Sequence, residues 1–275
     1  RALELVERER VTILSAAPAM LMELFDSPRY DATDTGSLFS IGIGGSATPP
    51  RLARLIERRI PGAYAGTGWS MTETNGAGTS LSGAVFRHKT GGAGLVQPIV
   101  DIRICDPSGN ALPAGQAGEV LVRAPTLIRE YWNRPDANRR EFVDGWFRSG
   151  AVGYLDADGC LFLADRSKDV VIRGGENIYP AEIEAVLYDC PGVREVAGFA
   201  LPHPRLGEQL AVAIVPDPAA GISADGVREF VGSRLAKFKV PQCVFFREEA
   251  LPRNASGKVV KSVLAAQYAG EVAEA

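Results

Sequence analysis

The residues of this sequence that could do chemistry lie in short polar or glycine-rich loops. Lys258 follows Ser256-Gly257 in a polar stretch that starts at Pro252. A cation there could meet a phosphate, and Ser-Gly-Lys invites comparison with the phosphate-binding loop of nucleotide hydrolases. The comparison fails, because Pro252 stands where that motif's first glycine would be and Val259 replaces its Mg²⁺-holding Ser or Thr. Locally, Lys258 reads as a solvated lysine. Thr72 and Glu73 follow Trp69-Ser70-Met71 in a loop rich in Gly and Thr. A hydroxyl beside a carboxylate offers hard oxygens to a Mg²⁺–phosphate group, and it can equally cap a helix. Gly42-Ile43-Gly44-Gly45-Ser46-Ala47 has the spacing of a dinucleotide fingerprint. That fingerprint wants an acidic residue about 20 positions on, and Pro61–Gly66 supplies none. What stands is a glycine turn open to close approach by a ligand, or a plain turn. Gly174-Gly175-Glu176-Asn177 is likewise a hairpin turn or a place where an extended ligand needs room.

Regular elements must present these loops. Val11–Leu14 is a short β-rich run, and Pro18 opens a helix over Ala19–Phe25 that ends before Ser27-Pro28. Leu38–Ile43 reads as a buried strand that runs into the glycine turn. Behind Pro49-Pro50, Leu52, Leu55, Ile56 and Ile60 recur at helical spacing among arginines. Strand, glycine turn, helix is an α/β pattern. Past about Gly91 the texture changes to strand-like runs at Ile99–Cys105, Glu119–Arg123 and Cys160–Ala164, broken by turn dipeptides such as Asp106-Pro107 and Asp158-Gly159. That predicts a small antiparallel β unit. A third texture starts near Asp169: a strand at Val170–Ile172, a helix opened by Pro180, strands at Val196–Ala200 and Leu210–Val215, a helix over Asp225–Leu235 and a strand at Cys243–Phe246. This order fits a compact α+β domain. The tail, Gly270–Ala275, should fray.

Composition narrows the function classes. Thirty basic and 33 acidic side chains leave a net charge of −3, which gives no electrostatic footprint for nucleic acid or an anionic membrane. No apolar run approaches the roughly 20 residues that span a bilayer. Cys105, Cys160, Cys190 and Cys243 form no CxxC pair, and only His88 and His203 could join them as soft ligands, so buried thiols in a reducing cytoplasm are expected.

Taken in order, the weak local signals form a pattern. Trp69-Ser70-Met71-Thr72-Glu73-Thr74 resembles the WGMTET motif of acyl-CoA synthetases, and Gly145-Trp146-Phe147-Arg148-Ser149-Gly150 resembles their GWFRTGD. Asp165-Arg166-Ser167-Lys168-Asp169 with Gly174-Gly175-Glu176-Asn177-Ile178-Tyr179-Pro180 resembles their hinge and glycine-rich strand, and Leu251–Lys258 closes the series. Gly118-Glu119 and Tyr131-Trp132-Asn133 also fit. The resemblance to this branch of the adenylate-forming enzymes covers nearly the whole chain. It implies that residues 1–167 are the C-terminal portion of a large AMP-binding domain, with an α/β segment at 1–90 and a β-barrel-like unit at 91–167. Lys168 would be a hinge, and residues 169–275 a small mobile α+β domain.

The resemblance also implies roles. In this family an acyl carboxylate attacks the α-phosphate of ATP, two anions whose repulsion at contact is about 4 kcal/mol at an effective dielectric near 20. Lys258 would bridge them. Glu73 would hold Mg²⁺, with Thr72 near the phosphate. Gly44, Gly45, Ser46, Trp69, Ser70 and Met71 would line the nucleotide and acyl pocket, and Arg166 would reach the ribose. The acyl group then passes to CoA as the small domain swings about Lys168, withdraws Lys258 and presents Gly174, Gly175 and Glu176 to the pantetheine. The partners would be a carboxylic acid, in the first place a fatty acid, with ATP and CoA.

The sequence departs from the family in places. Its Ser/Thr/Gly-rich phosphate loop, SGTTGxPKG, does not occur in these residues. The 275 residues therefore read as the C-terminal half of an enzyme and are expected to be inactive alone. Missing sheet partners should leave an exposed edge that favours a homodimer. Ala151 stands where the family carries a ribose-binding aspartate, with Asp156 and Asp165 as nearby substitutes, and Ser70 replaces a glycine. The alternatives are a degenerate, non-catalytic synthetase and an adenylating enzyme whose acceptor is a carrier-protein pantetheine arm.

Overall fold

The computed structural model describes residues 1–45, 48–166, 168–218, 220–254 and 257–273, and of Arg166 and residues 271–273 the backbone alone. Ser46 and Ser167 lie outside the described residues. The chain divides into two compact units, Arg1–Leu163 and Ala164–Ala275.

The first unit runs α1 (Ala2–Arg8), β1 (Ile13–Ala16), α2 (Pro18–Asp26), β2 (Ser40–Ile43), α3 (Pro50–Arg59), β3 (Tyr64–Thr67), β4 (Thr79–Ser82), α4 (Gly83–His88), β5 (Gly94–Val96), β6 (Asp101–Cys105), β7 (Gly118–Arg123), α5 (Pro135–Glu141), β8 (Phe142–Val143), β9 (Trp146–Leu155) and β10 (Cys160–Arg166). Both α2 and α3 begin with proline in the first turn, where its missing N–H costs nothing. Leu52, Leu55 and Ile56 of α3 turn inward while Arg58 and Arg59 close its last turn, where cations suit the helix dipole. That apolar stripe packs with Leu21 and Phe25 of α2 over Ile41 of β2. Strands β1, β2 and β3 are parallel, with Ile13 opposite Ser40 and Ile41 opposite Ala65.

The sheet then turns antiparallel and keeps going. Among the described residues its ten strands follow the order β1-β2-β3-β4-β5-β10-β9-β7-β6, with β8 paired to β9. The path is open, so the strands expected to form a barrel-like unit extend one mixed sheet and close no barrel. The reason is β4, which pairs with β3 through Ser82 opposite Gly66 and with β5 through Thr79 opposite Val96. A second core, Val100, Ile104, Val120, Val122 and Leu161, packs beneath this half.

The second unit continues with β11 (Val171–Arg173), β12 (Glu176–Ile178), α6 (Pro180–Leu187), β13 (Val193–His203), β14 (Gly207–Pro216), α7 (Ala224–Gly232), β15 (Cys243–Phe246) and α8 (Lys261–Ala273). Its sheet has the order β12-β11-β14-β13, with β15 parallel to β14. The unbroken apolar run Leu210–Val215 is buried on both faces. Leu210, Val212 and Ile214 meet α6 and α7 through Ile183, Leu187 and Val227, while Ala211, Ala213 and Val215 meet α8 through Leu264 and Tyr268. Helix α8 reaches Ala273, so the described part of the tail expected to fray has a helical backbone, and Glu274 and Ala275 lie outside the described residues. Tyr268 stacks on Phe245 with ring centroids 4.0 Å apart and on Phe199 at 6.0 Å, which holds the helix ahead of Gly270.

No helix among the described residues is long and apolar enough to cross a membrane.

Candidate active site

Parallel strands β2 and β3 end side by side, with Ile43 opposite Thr67. Chain segments that leave the carboxyl ends of parallel strands are where open α/β sheets bind ligands. Both glycine-rich and hydroxyl-rich loops of the first unit start here. Gly44 N–H donates to Ala16 O at 3.3 Å, and Gly45 takes a left-handed φ of 86°. A Cβ on either glycine would meet nothing within 4 Å, so space does not require them, whereas the φ of Gly45 does. Thr67 Oγ1 donates to Ile43 O and receives Thr48 Oγ1, both at 3.1 Å, which ties the two loop bases together.

The second loop, Trp69 to Gly78, carries Thr72 and Glu73 in a 3-10 turn over Thr72–Thr74. Its base is narrow. Trp69 N–H donates to Thr79 Oγ1 and Thr79 N–H to Trp69 O, while a Cβ on Gly78 would lie 2.0 Å from Trp69 O. Only glycine fits there. Thr74 is fully buried and bonds Met71 O and Ala77 O, pinning the turn from inside. Thr72 is exposed and Glu73 half-buried on this pinned turn. Trp69 packs partly into the second core, Met71 is half-buried and Ser70 exposed.

Glu73 is not alone. Tyr131 Oη donates to Glu73 Oε1 at 2.7 Å, and Ile128 N–H donates to Glu73 O at 2.8 Å. Asn138 of α5 clasps the Tyr131 backbone, receiving its N–H at 2.8 Å and donating to its carbonyl at 3.0 Å. The Tyr131 ring meets Phe142 and Phe147 edge-on at 5.9 and 6.3 Å. Burial and the hydrogen bond to Glu73 push the phenol's pKa far above its ordinary value, so it stays a donor. Tyr131 is the residue that motif reasoning left without a role. Its signal was only an aromatic pair before Asn133.

A carboxylate with one oxygen oriented by a phenol, beside an exposed hydroxyl, is a donor set that fits one face of a Mg²⁺ ion. An open groove of about 390 Å³ lies elsewhere, on the sheet face over Ser40, Gly42, Gly66, Ser80 and Ser82, and Glu73 does not line it.

The remaining predicted residues belong to the second unit. Lys258 sits at the end of a tight loop in which Asn254 and Lys258 exchange backbone and side-chain hydrogen bonds of 2.9 and 3.0 Å. Arg253 donates to Gly257 O and to Glu195 Oε2, at 2.8 and 2.7 Å, stapling the loop to β13. Among the described residues no carboxylate pairs with the Lys258 ammonium. Gly174 and Gly175 have φ of 59° and 91° and join Arg173 to Glu176 as a two-residue hairpin. Positive φ at both centres is the demand of a type I′ turn, which accounts for the glycines without a ligand. Glu176 and Lys168 are exposed. Arg166 ends β10.

Ala151 lies in β9, where Leu121 pairs with Arg148 but Glu119 with Val152, so Ser149–Ala151 bulge opposite Val120. Its methyl group can accept no hydrogen bond. Neither expected substitute is free. Asp156 accepts Lys89 Nζ and two backbone N–H groups in its own turn. Asp165, with 6% of its side chain exposed, accepts Ala181 N–H at 3.0 Å and faces Lys261.

Residues 1–132 match the AMP-binding enzyme family, and residues 182–258 match the AMP-binding enzyme C-terminal domain. The chain is 39% identical to the long-chain-fatty-acid–CoA ligase FadD13 of Mycobacterium tuberculosis, across 98% of this chain and 52% of that protein. It is also 39% identical to a feruloyl-CoA synthase of an Amycolatopsis species, across 94% of this chain and 52% of that protein. The crystal structure of ATP-bound MatB from Rhodopseudomonas palustris superimposes with a TM-score of 0.87 at 34% identity, covering 98% of this chain and 52% of that one. The chain thus spans about half the length of the curated relatives it matches.

Proposed function

We propose, on the premise that this chain belongs to the AMP-binding enzyme family, that the whole protein is an ATP-dependent acyl-CoA ligase. The observation that carries the reading is Glu73, held by Tyr131 on a rigid turn at the carboxyl end of the parallel strands. In the first step a carboxylate oxygen of the acid bonds to the α-phosphorus of ATP, the bond to the β-phosphate bridging oxygen breaks, and pyrophosphate leaves. Lys258 neutralises the two anions as they meet; its ammonium, which pairs with no carboxylate among the described residues, on a stapled loop supports this role. Glu73, with Thr72 alongside, would hold Mg²⁺, whose charge would offset that of the departing pyrophosphate. Gly44, Gly45 and the Trp69–Met71 segment would border the nucleotide, and the ribose is assigned to Arg166 on the family resemblance of its motif alone. In the second step the CoA sulfur bonds to the acyl carbon and AMP leaves. Rotation about Lys168 brings the Gly174-Gly175-Glu176 turn to the pantetheine for this step.

The acid is a small-molecule carboxylic acid, in the first place a fatty acid. Relatives named for fatty and for aromatic acids support the reaction class and not one substrate. A carrier-protein thiol is the alternative acceptor. The 275 residues by themselves, which lack a SGTTGxPKG loop, should form no acyl-CoA.

One observation favours a second reading. Ala151 has no carboxylate, and Asp156 and Asp165 are both committed. A protein that folds and binds ligand without catalysis would follow. Acid-dependent ATP–pyrophosphate exchange on the whole protein separates the two. Exchange that collapses in Lys258→Ala supports adenylation. Absence of exchange with every acid from acetate to long-chain fatty acids, in folded protein, supports the degenerate reading.

A further inference from the structure

The second unit contains an ion cluster that the proposed chemistry does not use. Lys261 opens α8, three positions past Lys258. Its Nζ lies 2.9 Å from Glu184 Oε1 and 3.7 Å from Asp165 Oδ2, with only 17% of the lysine side chain exposed. Each carboxylate also accepts a backbone N–H. Glu184 takes Gly198 N–H of β13 at 2.8 Å, and Asp165 takes Ala181 N–H of α6 at 3.0 Å. One ammonium therefore joins the end of β10, helix α6, strand β13 and the start of α8. Burial works against the Lys261 charge, but Glu184 and Asp165 outweigh it, with Asp169 adding to them, and keep it an ammonium above the usual lysine range. Removing one member of such a cluster strands a buried charge, so the cluster acts as a unit.

The location is what matters. Asp165 and Asp169 flank Lys168, and both act on the same ammonium. On the other side, Lys261 follows directly on the loop of Lys258, whose far end is stapled by Arg253 to Glu195. The Lys258 loop is thus anchored at both ends, once to β13 and once to the segment that precedes Lys168.

We propose that Lys261 is a positioning residue, which through Asp165 and Glu184 fixes the loop of Lys258 against the segment preceding Lys168. The proposal rests on the reading of Lys258 as the adenylating lysine and Lys168 as the hinge. Its consequence is that the charge of Asp165, carried through Lys261, controls the order of that loop.

The test uses the whole protein and two readouts. The first is amide hydrogen exchange over residues 253–259, which does not depend on activity. Asp165→Asn keeps the size of the side chain and an acceptor for Ala181 but removes the charge. It should speed exchange in that loop about tenfold, as should Lys261→Met, while Lys261→Arg stays near wild type. The second readout splits the half-reactions. Lys261→Met should lower ATP–pyrophosphate exchange about tenfold or more while acyl transfer from preformed acyl-adenylate to CoA changes less than about threefold, and Lys261→Arg should recover most of the loss. Unchanged protection of 253–259 in both Asp165→Asn and Lys261→Met would overturn the proposal. So would an even rise in exchange over the whole second unit with equal loss of both half-reactions, which is the mark of a plain stabiliser. If the wild-type protein shows no pyrophosphate exchange, the adenylation reading fails, and hydrogen exchange still decides whether the tie exists.

Discussion

The Tyr131 phenol donates a 2.7 Å hydrogen bond to the Glu73 carboxylate, and the two residues are 58 positions apart in the chain. The contact joins the turn after β3 to the segment before α5. It gives the carboxylate one oriented oxygen, Oε1.

Tyr131→Phe removes that donor and keeps the ring packed on Phe142 and Phe147. A hydrogen bond to a charged group contributes about 1.5–3 kcal/mol, or about 10- to 150-fold. The expected result is a loss of that order in pyrophosphate exchange, with a higher Mg²⁺ requirement. Equal activity at every Mg²⁺ concentration would show that Glu73 needs no orienting group.

The same pair sets a pH dependence in the alkaline range. Burial and Glu73 raise the phenol pKa in the folded protein above its unfolded value, so the unfolded chain loses this proton first. The stabilisation is complete below the ordinary tyrosine pKa of 10.0 and declines as pH rises beyond it. Denaturant midpoints between pH 8 and pH 11 (roughly the span of tyrosine titration) should fall more for wild type than for Tyr131→Phe.

At acid pH the relevant pair is Lys89 with Asp156. Its ammonium, aided by backbone N–H groups of Asp158 and Cys160, holds the Asp156 carboxyl below its ordinary range. A depressed carboxyl contributes stability above its unfolded pKa and loses it as pH falls through the folded one. Asp156→Asn should therefore flatten the acid limb of the stability curve, measured by circular dichroism from neutral pH downward. An unchanged acid limb would mean that the pair contributes nothing net, as many exposed ion pairs do.

Ala151→Asp tests the degenerate reading directly. Position 151 lies in the bulge of β9 opposite Val120, where its methyl packs partly against the second core, and Ser149 Oγ receives the Ala151 N–H at 3.1 Å. If nucleotide binding lacks only the family's carboxylate, the substitution should tighten ATP binding about 10- to 150-fold. Calorimetry on the whole protein reads this without requiring turnover. No change would show that this chain recognises the ribose by other means.

How far these features could be read beforehand follows from their range along the chain. Helix α3 was legible because Leu52, Leu55 and Ile56 recur at the helical period, and β15 because Cys243–Phe246 is a short apolar run between polar stretches. The Gly174-Gly175 turn was legible as one of two readings, and the two positive φ values explain why only glycine serves. Pairings between distant segments left no local trace. The link from Tyr131 to Glu73, the bridge by which β4 turns a supposed barrel into one open sheet, and the grip of Lys261 on Asp165 all depend on register. Periodicity does not encode register between strands that are far apart.

The open sheet leads to the last prediction. Strand β1 ends the described sheet, with β2 on one side and no strand on the other. Ile13 is 64% exposed there, and on β2's approach Phe39 is 65% exposed and stacks on Tyr64 with ring centroids 6.5 Å apart. An apolar edge with unpaired backbone groups is a template for another strand. The 275-residue chain should therefore self-associate with rising concentration, as dimers or larger species by light scattering. Ile13→Lys places a charge on that edge, a common natural safeguard, and should shift the chain to monomer without lowering its melting temperature by more than about 2 °C. A wild-type chain that stays monomeric at high concentration would mean that the aromatic pair and the edge are too short or too twisted to recruit a partner.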